Sequence, residues 1–299
     1  MSLRTAELPR TALVEAAGLL GRACRFDRAA GVAEEKLLGA SPQGRGVALG
    51  AFDGARLLGV AALAGKWLRL LAVEPEATRQ GVGTALLRHA EALVRAAGGR
   101  GVRTADEPGN YLTPGVDARD GETLGWLERR GFSRVGENES WKVRLAENPL
   151  VSPARAVALA AQAEARGYVI ERAGAADAGR LSAWVGEHFG AAWAFEVERA
   201  LESDPPAVHV ARARADGPLA AFAAHDGNNR GLGAFGPAGT VPAHRGLGLG
   251  LALLVRCLAD VAAAGHLESA IPWIGPRDYY QRAVGAVPDR RFVVLERPV

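Results

Sequence analysis

The sequence predicts an α/β protein built from two tandem halves. Three observations carry this expectation. Short apolar runs rich in β-forming residues alternate with longer segments of helical period along the 299 residues. A glycine turn that opens onto an apolar helix occurs twice, as PEATRQGVGTALLRHAEAL at 75–93 and TVPAHRGLGLGLALLVR at 240–256. Gly83 and Gly250 lie 167 residues apart, and the order around them repeats: hairpin strands, long strand, glycine turn, helix, strand, helix, strand. The length suits two domains of ordinary size.

The first segment, MSLRTAELPRTALVEAAGLLG, has the basic residues and apolar run of a signal peptide. Glu15 interrupts that run, and the segment reads better as an amphipathic helix. GVALGAFD (47–54), LLGVAALAG (57–65) and KWLRLLAVEP (66–75) read as strands, the first two joined at Gly54-Ala55-Arg56, the third ended by Pro75. A helix over 83–97 presents Leu86, Leu87, Ala90, Leu93, Val94 and Ala97 on one face, with His89, Glu91 and Arg95 elsewhere, and Gly98-Gly99 stop it. RGVRTAD (100–106) is a strand, GNYLTPGVD a loop, 120–130 a helix, and a strand pair ends in WKVRL at 141–145.

ENPLVSP (147–153) marks a break, and the alanine-rich 154–167 reads as a connecting helix. The pattern then restarts. YVIERA is a strand, ADAGRLSAWVGEHF a helix, AVHVARARA (207–215) a strand, DGPL a turn and AAFAAHD a strand. A helix follows over 249–264, with Leu254, Cys257, Leu258 and Val261 on its apolar face; HLESAIPWI (266–274), RDYYQRAVG and RFVVLER read as strand, helix and strand. The expected domains are 1–147 and 167–299, with 148–166 connecting them.

Composition narrows the function classes. A net charge of +3 is too small to argue for nucleic acid, despite the basic pI. No stretch holds eighteen uninterrupted apolar residues, so no membrane span is expected. Cys24 and Cys257 make no disulfide framework, and Cys257, on an apolar helical face, reads as a buried thiol. A cytoplasmic protein is expected. The six histidines are scattered without metal-ligand spacing, so no metal is expected. A homodimer is left open.

The glycine turns need bare backbone for a physical reason. A helix start carries free N–H groups and partial positive charge, and glycine clears side chains from that approach. An anion, a diphosphate above all, can sit there; tight strand-to-helix packing is the other reason for such glycines. Arg79 and Arg245 add charge. A P-loop is excluded, because Gly83-Thr84 and Gly250-Leu251 replace its Gly-Lys-Ser/Thr. The Pro-containing bends and preceding hairpins disagree with a dinucleotide fold.

Each half resembles the Gcn5-related N-acetyltransferase (GNAT) superfamily, whose signature is Arg or Gln, two residues, Gly, one residue, then Gly or Ala. The second half carries it fully as Arg245, Gly248 and Gly250; the first has Gly81 and Gly83 but Thr78 at the leading position, between which stand Arg79 and Gln80. The Gly131-Phe132 and Gly285-Ala286 turns near the ends match as well. The resemblance covers nearly the whole chain as a tandem pair. It implies two domains, each a mixed, mostly antiparallel, splayed sheet flanked by helices. It implies acetyl-CoA as donor and a primary amine, most simply of a small molecule, as acceptor. The cofactor residues it implies are Val73, Arg79, Gln80, Gly81, Val82, Gly83 and Thr84 in the first half, with the strand residues Leu71 to Val73 along the pantetheine. In the second they are Val241, Arg245, Gly246, Leu247, Gly248, Leu249 and Gly250, with the strand around Gly239 to Val241.

Acetyl transfer to an amine needs a base, a donor for the thioester oxygen, and an acid for the departing thiolate. No covalent nucleophile is required, and direct attack is expected. The family's acid is a tyrosine four residues before the closing glycine. That position is Leu127 in the first half and Gln281 in the second, so Tyr280, one residue from it, is the candidate; packing is the competing role for Tyr279 and Tyr280. His225, beside Asp226, and Glu268 are base candidates, set against a hairpin-end histidine and a solvent-facing carboxylate. Asn110 and Tyr111, near Asp106 and Glu107, and Trp193 and Phe195, near His188, are candidates to line acceptor sites, against roles in a loop and in the core. The rival function is a non-catalytic acyl-CoA-binding or structural protein with decayed transferase sites, which Leu127 favours for the first half.

Overall fold

A computed structural model describes residues 2–214 and 217–299, with the side chain of Ala175 left aside. Ala215 and Asp216, at the end of one predicted strand and the start of the next turn, lie outside the described residues. The chain forms two compact units, one of residues 1–138 with 291–299 and one of 139–290.

The first unit contains β1 (Leu3–Glu7), α1 (Leu13–Ala23), α2 (Ala33–Leu38), β2 (Val47–Asp53), β3 (Arg56–Ala64), β4 (Trp67–Val73), α3 (Val82–Ala96), β5 (Gly101–Thr104), β6 (Val116–Asp117), α4 (Gly121–Glu128) and the start of β7 (Ser133–Arg144). The second contains the rest of β7, then α5 (Pro153–Glu164), β8 (Tyr168–Arg172), α6 (Ala178–Phe189), α7 (Ala191–Leu201), β9 (Val208–Ala213), β10 (Leu219–His225), β11 (Phe235–Thr240), α8 (Leu249–Ala263), β12 (Glu268–Ile271), α9 (Arg277–Val284) and the first residues of β13 (Val287–Pro298).

In the first unit the sheet order is β1-β2-β3-β4-β5-β13, all antiparallel except β4 with β5. One face packs on α3 and α4 through Leu49, Leu86, Leu87 and Leu124. The other packs on α1 and α2 through Leu19, Leu20, Leu37 and Leu70. A bulge at Arg69 shifts the register between Ala62–Leu70 and Leu63–Leu68, and such an extra residue bends and re-aims its strand. The parallel pairing of β4 with β5 is confined to Trp67–Arg103 and Leu68–Thr104. The two strands then part, and the sheet opens toward their C-terminal ends.

The second unit has the order β11-β10-β9-β8, antiparallel throughout, with β12 on the 139–144 segment of β7. Again one face packs on helices α5 and α8 and the other on α6 and α7. The register shifts where His225 pairs Phe235 and Ala223 pairs Ala238, a bulge on β11. Ser269 Oγ donates to Gly233 O at 2.7 Å, tying the start of β12 to the start of β11. Among the described residues no ladder joins β11 to β12 beyond that point, so this sheet also opens toward the strand ends. Each unit is thus a mostly antiparallel, splayed sheet between helices, as the sequence implied, with the parallel pairing confined to β4 and β5 of the first among the described residues.

Several expectations need correction. The N-terminal segment is strand β1 before it is helix, because Leu3–Glu7 pairs with Leu49–Asp53. The strand pair before 145 is one long strand, β7. α7 follows α6 after Gly190, whose φ of +99° turns the chain between them. Glu91, placed off the apolar face of α3, is buried because Arg297 pairs with it at 2.8 Å. A cut at 147 does not separate the units, since residues 291–299 belong to the first. Among the described residues no helix is long and apolar enough to cross a membrane.

Candidate functional site

The two glycine turns share one backbone course. A short 3-10 turn at Pro75–Ala77 or Pro242–His244 leads to an extended residue, Thr78 or Arg245. Arg79 and Gly246 follow with φ of +61° and +77°. Gly81 and Gly248 then cap α3 and α8 with φ of +87° and +80°. Left-handed backbone at the cap explains both glycines. Arg79 holds the same left-handed turn as a non-glycine residue, which is uncommon enough to mark a constrained position.

No side chain caps either helix. Outside the helices, no acceptor among the described residues meets the N–H groups of Arg79 to Thr84 or of Gly246 to Gly250. These amides sit at the positive end of a helix dipole. Added Cβ atoms at Gly81 or Gly246 would meet nothing within 4 Å, so the approach is open there, while one at Gly248 would lie 3.2 Å from Arg166 Nη1. The residues therefore fit the linked phosphates of an acyl-CoA. Their cationic neighbours differ. In the second turn Arg245 Nε donates to Thr240 O at 3.1 Å and Arg166 Nη1 to Leu247 O at 2.6 Å. In the first, Thr78 Oγ1 donates to Pro75 O and Gln80 Nε2 to Glu76 O, both at 2.9 Å.

The flank of each turn sets the chemistry. A Cβ on Gly83 would lie 3.4 Å from the Trp126 ring, 3.5 Å from Val73 and 3.7 Å from Leu71. A Cβ on Gly250 would lie 3.6 Å from Thr240 Oγ1 and 3.6 Å from the Tyr279 hydroxyl. The first flank is apolar and the second carries two hydroxyls. Burial, and next the neighbouring Tyr280, raise the Tyr279 pKa well above the phenol's ordinary value. Burial pushes Tyr280 up to about 12. Both phenols keep their protons at neutral pH.

This placement sets Tyr279 beside Tyr280, the candidate named from spacing. Tyr279 brings its hydroxyl to the turn, whereas Tyr280 packs its ring edge-on to Phe235 at 6.1 Å between centroids. Gln281 is exposed and Leu127 is buried in the first core. Counting back from the closing glycine reached Gln281 and Tyr280 but not Tyr279, and each step along a helix rotates a side chain by about 100°. Thr240 was reachable in the sequence only as a neighbour of Gly239 and Val241.

The two base candidates lie elsewhere. His225 pairs with Phe235, at the closed start of β11. Its Nδ1 lies 3.1 Å from Asp226 Oδ2 and its Nε2 3.8 Å from Asp260 Oδ2, on the last turns of α8. Asp260 is eleven residues from Leu249, about 16 Å along the helix. Glu268 is half-exposed at the start of β12 and pairs with Lys142 at 3.2 Å. Neither approaches the open end of the sheet.

Asn110 and Tyr111 are buried, so the acceptor roles proposed for them conflict with the fold. Asn110 Nδ2 donates to Glu35 O at 3.2 Å and Ala40 O at 2.9 Å, and its Oδ1 accepts from Lys36 Nζ at 2.9 Å. Beside it, Arg69 donates twice to Glu107, at 2.6 and 3.0 Å, with both side chains fully buried. These groups hold the loop after β5 to α2. Trp193 and Phe195 both lie on α7. Trp193 is 37% exposed and stacks on Phe189 at 5.7 Å, and Phe189 in turn lies against Gly239 of β11. Phe195 carries Arg199 over its ring at 5.5 Å.

The profile of the Acetyltransferase (GNAT) family matches residues 23–111, which span the first glycine turn. No curated protein matches the sequence. Among solved structures, a fungal multi-domain GH3 β-N-acetylglucosaminidase with a GCN5-related glucosamine N-acetyltransferase region is 18% identical, with a TM-score of 0.77. The alignment covers 99% of this chain and 38% of that one, so the chain spans well under half of the fungal protein. A tandem GNAT protein from the clavulanic acid biosynthesis pathway, solved without acetyl-CoA, is 18% identical with a TM-score of 0.69, covering 99% of this chain and 98% of that one. A GCN5-related N-acetyltransferase from Sphaerobacter thermophilus is 18% identical with a TM-score of 0.66, covering 99% and 95%.

The chain has the tandem GNAT fold. The profile falls on the first GNAT unit, although the second carries the fuller signature. The signature covers only the turn, while the span the profile matches takes in β2 to β5 as well. Both GNAT units keep the turn, the splay and the helix after the fifth strand. They differ in what that helix offers: Trp126 in one, Tyr279 in the other.

Proposed function

We propose that the protein is an acetyl-CoA-dependent N-acetyltransferase acting on a primary amine of a small molecule, with its chemistry in the second unit. The observation that carries this reading is the Tyr279 hydroxyl beside Gly250, at the open end of the split between β11 and β12. Acetyl-CoA would supply the acetyl thioester, held at its phosphates by the amides of Gly246 to Gly250 with Arg245. Tyr279 keeps its proton at neutral pH and would give it to the departing sulfur at the far end of the pantetheine arm. Thr240 Oγ1 shares the space beside Gly250. Neither His225 nor Glu268 reaches it, so an ordered water or the amine's own equilibrium would account for the lost proton.

A second reading holds for the first unit. Buried Leu127 and the apolar flank of Trp126, Leu71 and Val73 favour acyl-CoA binding there without transfer. On the α1 side of the end of β4, a cavity of about 320 Å³ is lined by Glu15, Arg22, Arg56, Glu74 and Glu76.

The test is thiol release from acetyl-CoA with a panel of amines that includes glucosamine, the sugar in the fungal relative's name. Tyr279→Phe should lower kcat by about 10²-fold or more, in the range of a lost general acid, with little change in KM for acetyl-CoA. Tyr280→Phe should leave kcat within a few-fold. The reverse ranking would return the role to Tyr280. No thiol release with any amine would leave binding alone.

A further inference from the structure

The first turn has Thr78 where the second has Arg245, so it lacks the arginine that the signature supplies. A different guanidinium stands beside it. Arg130, just past α4, donates through Nη2 to Thr84 Oγ1 at 2.8 Å, and Thr84 is the third residue of α3. Nη1 donates to Trp126 O at 3.0 Å, and the guanidinium carbon lies 4.1 Å from the centre of the Trp126 ring. Trp126 itself lies against Gly83. Arg130 is therefore clamped on three sides to the flank of the turn, in a fixed orientation.

Its charge is not balanced. Among the described residues no carboxylate pairs with Arg130, and its Nε is buried without an acceptor. Burial, then Arg129 and Arg88, hold its pKa below the ordinary guanidinium value. A buried donor without an acceptor and a cation facing other cations both cost free energy. Nε is sealed from an outside anion, but one at the unbonded hydrogens of Nη1 and Nη2 would balance the charge. A guanidinium fork suits a phosphate better than any other side chain does.

We propose that Arg130 replaces the missing signature arginine of the first unit, and that it contacts the phosphates of coenzyme A bound at the 79–84 turn. The assignment rests on the acyl-CoA reading of the fold, and makes the first turn a working cofactor site whose charge comes from α4 rather than from the turn itself. Arg129 and Arg88 are exposed and would add long-range attraction. Arg130 touches cofactor in this account but no reacting atom.

Calorimetric titration of the full chain tests it, in a Gly250→Leu background whose new side chain fills the space beside Thr240 and Tyr279. The probes are coenzyme A, 3′-dephospho-coenzyme A and pantetheine. Arg130→Gln should weaken coenzyme A binding at least tenfold and leave pantetheine, which has no phosphate, unchanged. Arg130→Lys should recover part of the loss, because charge returns without the fork. An equal loss with dephospho-coenzyme A places Arg130 on the diphosphate, and a smaller one on the 3′-phosphate; both support the assignment. Equal weakening of pantetheine would overturn it, since Arg130 would then act only by holding Trp126. Unchanged coenzyme A affinity, with the loss found instead in Arg79→Gln, would overturn it too. If the folded parent chain binds no coenzyme A at either turn, the acyl-CoA reading itself fails. Far-UV circular dichroism and melting curves report whether each variant is folded.

Discussion

Asp260 carries more of the second unit's polar interior than any residue chosen from the sequence. It accepts from His209 Nε2 at 2.5 Å and from Arg172 Nη2 at 2.7 Å, with His225 Nε2 at 3.8 Å. Burial alone would raise its pKa, but the bond from His209, the nearby His225 ring and the charge of Arg172 drive it far below the ordinary carboxylate range. A depressed carboxylate stabilises the fold above its unfolded value, and that contribution is lost as pH falls through the folded one. His209, lowered chiefly by burial, adds acid sensitivity below an imidazole's ordinary range. His225 is raised: burial opposes its charge, yet Asp226 and Asp260 outweigh it, so its contribution is present below the ordinary value and lost on alkalinisation. Asp260→Asn should cost about 3 kcal/mol at pH 7, as expected for one partner removed from a partly buried pair. Thermal melts should show the gap to the parent beginning to narrow as pH falls below about 4, the unfolded carboxylate's value. A gap of constant size would remove the ion-pair account. None of this was legible in the sequence, where His225 stood out only for its neighbour Asp226. The partners His209 and Asp260 come from another strand and from the far end of α8. Asn110 misled for the same reason, because nothing local to it reveals α2.

At the scale of elements the sequence was a better guide. Apolar period and glycine stops placed α3, α8 and α9 within a residue or two, and the turns that cap them were read correctly as bare backbone. What stayed hidden depends on pairing: the bulges on β4 and β11, and the face each strand turns to its helices. Gly239 shows why. In the sequence it is one glycine in GLGAFGPAGT; in the fold a Cβ there would lie 2.5 Å from the Phe189 ring. That ring is held by Trp193 at 5.7 Å and Phe222 at 5.3 Å, so it has little room to retreat. Gly239→Ala should destabilise the protein by about 1–3 kcal/mol through overpacking. Combined with Phe189→Ala, it should cost less than the two single changes summed, with a coupling of about 1 kcal/mol. Denaturant melts of the four chains measure it. Strict additivity would mean that the aromatic stack moves aside freely.

On the scale of the whole chain, repetition disguised the path of the C-terminus. Two halves with the same element order invite a cut between them, yet the final strand does not stay with the half that precedes it in sequence. Residues 291–299 complete the first unit, where Phe292, Val293, Val294 and Leu295 are buried. Glu296 to Pro298 pair with Gly101 to Arg103. Glu296 also accepts from Lys66 at 3.0 Å and Arg103 at 3.2 Å, and Arg297 Nη1 donates to Arg130 O at 2.5 Å. At roughly 1.5–3 kcal/mol for each large buried apolar side chain, the four together contribute about 6–12 kcal/mol. That is comparable to the whole stability of a typical domain, about 5–15 kcal/mol. A chain ending at residue 290 should therefore leave the first unit unfolded, although all of residues 1–138 are present. Hydrogen exchange should show amides of β2 to β4 protected in the full chain and exposed in the truncated one. Adding the 291–299 peptide in trans should restore part of that protection. Protected β2 to β4 amides in the truncated chain would show that the first half holds its fold without the returning strand, as the repeat in sequence suggests.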